Sequence, residues 1–174
     1  MKSLLLLAAL AIPVGTMAQT TGLDAADRSA IIADLDAREP VLASTARTIW
    51  SLAEVGYQEV QSSKLLQQQL AKGGFKVTPG VAGMPTAFVA SYKAGSGPVI
   101  AILAEFDALP GLSQSATPER HVIEGQKAGH GCGHNIFGAA SVAAALAIKD
   151  WMIANKVAGE VRVYGTPAEE GGSG

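Results

Sequence analysis

Two of the three histidines in this chain and its single cysteine fall in one eight-residue stretch, "AGHGCGHN", residues 128 to 135. Cys132 and His134 are one residue apart, with glycine on either side of the cysteine. Glycine lets a backbone bend so that both side chains face one centre, and thiolate and imidazole both suit zinc-like metals. A helix N-terminus beside the thiol, together with a cation, favours the thiolate. Alone, Cys-x-His is weak evidence, because a structural thiol beside a capping histidine is the commoner arrangement. Cysteine–histidine nucleophilic catalysis fits worse, since those partners are usually distant in sequence.

Two further sets of residues carry possible chemistry. Glu169 and Glu170 follow a buried-looking strand and Pro167. In extended backbone, neighbouring side chains point opposite ways, so one glutamate can bind metal while the other reaches a bound water. A metal hydrolase needs that division: the metal lowers the water's pKa and a carboxylate takes its proton. Asp107 stands after another apolar strand and could bind a metal or orient a ligand through a hydrogen bond; it reads equally as a turn residue. His130 is a supporting donor, a substrate contact or an ordinary loop histidine. His121 reads as surface.

The elements that must gather these residues follow from periodicity. Residues 24–54 carry apolar side chains at helical intervals, and Pro40 is expected to split them into two helices. Residues 60–72 form a second helical stretch ended by Gly73-Gly74. Residues 75–79, 86–93 and 98–106 read as strands, the last so apolar that a central position covered on both faces is expected. A long loop runs from Asp107 to His134. An alanine-rich, apolar helix follows over 135–156 with Asn135 as N-cap, and then a strand from 160 ending at Pro167. Strand, helix, strand implies a parallel pair. Ligands of open α/β sheets bind beyond the carboxyl ends of strands, where Asp107, Cys132, His134, Glu169 and Glu170 would all fall.

The 174 residues are 48% hydrophobic and 16% charged, with net charge −2. That is room for about one domain, and the charge gives no support to a nucleic-acid role. Residues 1–18 read as a signal peptide. Lys2 precedes a short apolar run, Pro13 and Gly15 interrupt it, and Ala18 offers a cleavage site. The run falls short of the roughly 20 residues of a membrane span. Export to the periplasm or medium is expected, with no membrane association after cleavage. A lone cysteine in an exported chain can form no internal disulfide.

In the order "AEFDALPGLSQ", "GHGCGHNIFGAA" and "YGTPAEEGGSG", the sequence resembles the metal-dependent amidohydrolases and peptidases that include aminoacylases, hippurate hydrolases and carboxypeptidase-G-type enzymes. "IWSLAEVGYQEVQSSKLL" and "GGFKVTPGVAGMPTAFVASY" look most like the aminobenzoyl-glutamate hydrolase branch. The resemblance implies an α/β fold, a partial three-layer sandwich with a mixed, largely parallel central sheet. Residues 19–174 would be the N-terminal part of a catalytic domain. It implies two divalent metal ions, zinc, manganese or cobalt, about 3.5–4 Å apart. Cys132, His134 and Glu170 would be ligands, Glu169 the general base and Asp107 a supporting residue. The substrate would be a small N-acyl or aminobenzoyl amino acid, and the full-length parent a homodimer.

Two departures qualify the match. "NIFG" follows Cys-Gly-His where aminoacylase-like members carry Asp and a second His. The family's downstream histidine ligands and lid domain have no counterpart in these residues. The chain therefore reads as an N-terminal fragment. Two other readings stay open: a truncated, catalytically inactive piece, or a structural metal or thiol site in a binding module.

Overall fold

The computed structural model describes residues 23–171; the segment read as a signal peptide lies outside them. Helix α1 spans Ala25–Leu52 and α2 spans Val60–Lys72. Strands β1 (Lys76–Pro79), β2 (Phe88–Lys93) and β3 (Val99–Glu105) follow. The short pair β4 (Leu109–Pro110) and β5 (Ala128–Gly129), helix α3 (His134–Ala154) and strand β6 (Glu160–Thr166) complete the order.

Helix α1 starts at Asp24, whose carboxylate accepts the Asp27 N–H at 2.7 Å, one of the donors every helix start leaves unpaired. Pro40 does not divide it. A proline removes one i→i−4 bond, but Pro40 and Asp36, whose carbonyl loses its donor, both lie on the exposed side. On that side the freed carbonyl is open to solvent, which removes the penalty of an unpaired buried group. Arg38 then pins the helix to α3, pairing with Asp34 at 2.7 Å and Asp150 at 2.5 Å.

The main sheet runs β1-β2-β6-β3. β1–β2 and β2–β6 are antiparallel, and β3–β6 is parallel with Val99 opposite Glu160 and Glu105 opposite Thr166. The sheet is mixed, as expected, but among the described strands it is not largely parallel. Only the segment from β3 to β6 contains a crossover helix, which parallel pairing requires; β1 and β2 are joined by too short a connection for anything but antiparallel pairing. Strand β6 inserts between β2 and β3, so among the described residues β3 stands at the end of the sheet, where its apolar sequence predicts a strand covered on both faces. Its Val99, Ile100 and Leu103 are about half exposed.

All three helices pack on one face. Ile49 of α1, Leu66 and Leu70 of α2, Val142, Ala145 and Met152 of α3 close over Phe88, Ala90, Ala104, Phe106, Val161 and Val163. The described residues thus form two layers, helices on sheet, of the three expected. Helix α3 is long and apolar enough to cross a membrane, yet ten of its residues are buried within the fold. Ile136, Phe137 and Ile153 remain exposed. The long loop expected between Asp107 and His134 is closed on itself by the β4–β5 ladder, with Leu109 opposite Gly129.

Candidate metal centre

Three chain segments meet at the carboxyl ends of β3 and β6. The first is Glu105 to Ala108, where β3 ends. The second is Cys132 to His134, where the loop enters α3. Gly133 occupies the N-cap position in the left-handed region, φ 95°, and this conformation turns the chain into the helix directly after Cys132. The expected N-cap, Asn135, is instead inside the helix, its amide donating to the Ala46 carbonyl of α1 at 3.2 Å. The third segment is Pro167 to Glu170, after β6.

His134 is the hub. It is buried, and four carboxylates approach its ring nitrogens. Nδ1 lies 2.9 Å from Asp107 Oδ1 and 3.8 Å from Glu170 Oε1; Nε2 lies 3.0 Å from Glu105 Oε2 and 3.7 Å from Glu169 Oε2. One nitrogen can donate to its carboxylate while the other's lone pair faces a cation, the usual arrangement of a ligating histidine. Asp107, 1% exposed, spends its second oxygen on the Glu170 N–H at 2.9 Å.

Ligand atoms of Cys132, His134 and Glu170 lie within 4.8 Å of one another, and so do those of Glu105, His134 and Glu169. Both sets draw on His134. Thiol, imidazole and carboxylate are donors that suit a zinc-like ion. Oε1 of Glu170 is buried and has no hydrogen-bond partner, a state that normally costs free energy and that a cation would relieve. Four carboxylates crowded on one imidazole call for the same counter-charge. The residues fit a divalent metal.

The electrostatics agree. Burial pushes the Glu105 carboxyl up; His134 pulls it down, and Glu169, Asp107 and Glu170 push it further up. The exposed Cys132 thiol is held above its ordinary value, chiefly by the Glu170 carboxylate. The helix end therefore does not by itself favour a thiolate, because the surrounding carboxylates outweigh it. A cation reverses that balance.

His130 is not part of this cluster. It is buried against α1, where Nε2 faces the Ile49 carbonyl at 3.1 Å and its ring lies beside Trp50. Burial lowers its pKa. His121 is exposed in the loop. Glu105 was not singled out from sequence. Its signal was an acid closing an otherwise apolar strand, two residues before Asp107 and so on the same face of the extended chain.

No family model matches the chain. It is 48% identical over 128 residues to a subunit of the p-aminobenzoyl-glutamate hydrolase of Escherichia coli K12, covering 72% of this chain and 26% of that one. It is 34% identical over 145 residues to an Xaa-Arg dipeptidase of Mus musculus, covering 76% and 30%. A dinuclear metal-binding peptidase of the M20 family from Bacillus subtilis superposes with a TM-score of 0.66 at 29% identity, over 78% of this chain and 37% of that one. The chain thus spans less than a third of the length of these two curated relatives. Sequence, fold and the residues gathered at the sheet rim agree: the chain belongs to the M20 family of amidohydrolases and peptidases.

Proposed function

We propose that the whole protein hydrolyses an amide bond in a small N-acyl amino acid, of the p-aminobenzoyl-glutamate type, with the help of divalent metal ions. One observation carries the reading: ligand atoms of Cys132, His134 and Glu170 converge within 4.8 Å, and those of Glu105, His134 and Glu169 do likewise. Likeness to a component of a p-aminobenzoyl-glutamate hydrolase supports the substrate class.

Cys132, His134 and Glu170 would hold a cation, and Glu105 offers a further donor. When bound, a pair of such ions, zinc, manganese or cobalt, supplies a Lewis acid for the amide carbonyl and lowers the pKa of water. Glu169 is the general base. Its side chain is half exposed, so it can reach water and substrate while Glu170 stays packed against Asp107. It takes a proton from the attacking water as the C–O bond forms, and returns it to the leaving nitrogen as the C–N bond breaks. Asp107 orients both His134 and the Glu170 backbone. Export through residues 1–18 and homodimerisation of the full-length protein belong to the same proposal.

The test is a panel of N-acyl and aminobenzoyl amino acids offered to the metal-loaded, full-length protein. Hydrolysis is expected, and Glu169→Gln should abolish it while metal content stays near wild type. Turnover that survives Glu169→Gln removes the general base from the account.

A further inference from the structure

Glu59 is fully buried although it is an acid, and it stands at the N-cap position of α2 without capping it. That task falls to Glu54, whose carboxylate accepts the Gln61 and Ser62 N–H groups at 3.1 and 2.8 Å. The Glu59 side chain turns across the fold instead. Oε1 accepts the Ala168 N–H at 2.8 Å and Oε2 the Thr86 hydroxyl at 3.0 Å. Thr86 is itself held, its carbonyl accepting the Ser63 hydroxyl at 2.7 Å.

Ala168 is the residue before Glu169-Glu170, and it sits in the left-handed region at φ 59°, a strained conformation for a residue with a Cβ. Something must hold it there. On one side is the Glu59 carboxylate. On the other is Gly56, where an added Cβ would come 2.8 Å from the Ala168 Cβ and 2.9 Å from its Cα. The same turn holds the Asp107 loop, through the Ala108 N–H on the Glu54 carbonyl at 2.8 Å. One turn between two helices thus grips both carboxylate-bearing loops.

We propose that Glu59 is a positioning residue, which, with Gly56, fixes the reversed backbone at Ala168 and so aims Glu169 and Glu170 at the His134 centre. The proposal rests on the functional reading above. Burial raises the Glu59 carboxyl, yet a charge is not what the role needs. Glutamine can still accept from Ala168, with its amide toward the Thr86 oxygen.

The experiment compares Glu59→Gln and Glu59→Leu in the full-length protein, well below the melting transition of each. It reads kcat, KM and zinc affinity by chelator competition. Glu59→Gln should stay near wild type in all three. Glu59→Leu should lose about 10- to 100-fold in kcat and in zinc affinity, the range for groups that orient metal ligands, with little change in KM. A Glu59→Leu protein that melts earlier but keeps wild-type kcat and zinc affinity overturns the proposal. If Glu59→Leu does not fold, Gly56→Ala perturbs Ala168 from the opposite side and should weaken zinc binding; unchanged affinity there overturns it equally. If the wild type hydrolyses no amide, the functional reading falls, and zinc affinity alone decides on Glu59.

Discussion

Asp107 Oδ1 lies 2.9 Å from Nδ1 of His134, and its other oxygen accepts the Glu170 N–H at 2.9 Å. One buried carboxylate therefore sets the ring angle of one candidate ligand and the backbone position of another. Asp107→Ala should lower zinc affinity about 10- to 100-fold with the fold retained. Isothermal titration or chelator competition measures it. An unchanged affinity would reduce Asp107 to a turn residue.

Gly138 determines how closely α3 approaches β3. A Cβ there would come 2.7 Å from the Glu105 carbonyl oxygen and 3.2 Å from Leu66. On an open helix surface Gly→Ala would stabilise by about 1 kcal/mol. Against backbone, overpacking costs about 1–3 kcal/mol, so overpacking wins. Gly138→Ala should be destabilised in denaturant unfolding, and should bind zinc more weakly because His134 shifts from Glu105. A gain in stability would show that the close approach does not exist in solution.

The glycine-flanked "GCGH" and the paired glutamates were legible because short motifs carry their own chemistry. Placing them on one rim needed only the strand–helix–strand order. What stayed hidden was long-range. Nothing local in residues 98–106 says that β6 will slot between β2 and β3. Pro40 looked like a helix break because the sequence does not show which side of α1 faces water. His130 lies in the motif that supplies two candidate ligands, yet it points to the Ile49 carbonyl. Glu59 and Glu105 gave faint signals, one an acid at a helix start and the other an acid at a strand end. Their roles come from partners 109 and 29 residues away in sequence.

Glu59 also predicts a pH dependence of stability. Its folded-state pKa is raised by burial above the ordinary 4.5. The folded state then binds the proton more tightly than the unfolded one. Its contribution to stability is fully present below about pH 4.5 and is lost as pH rises through the folded-state value. Glu59→Gln removes that dependence. Urea unfolding of both proteins across this range should show wild type losing stability relative to Glu59→Gln as pH increases. Parallel curves would mean that the carboxyl is not desolvated in solution.

The central claim is that loops from the ends of β3 and β6 and the start of α3 build one metal centre containing the Cys132 sulfur. X-ray absorption spectroscopy of the zinc-loaded, full-length protein tests it most directly. The expected spectrum shows a sulfur shell at about 2.3 Å beside nitrogen and oxygen at about 2.0–2.2 Å, and Cys132→Ala should lose that shell together with zinc affinity. Zinc bound in the wild type by nitrogen and oxygen alone, with Cys132→Ala indistinguishable from it, would contradict the account.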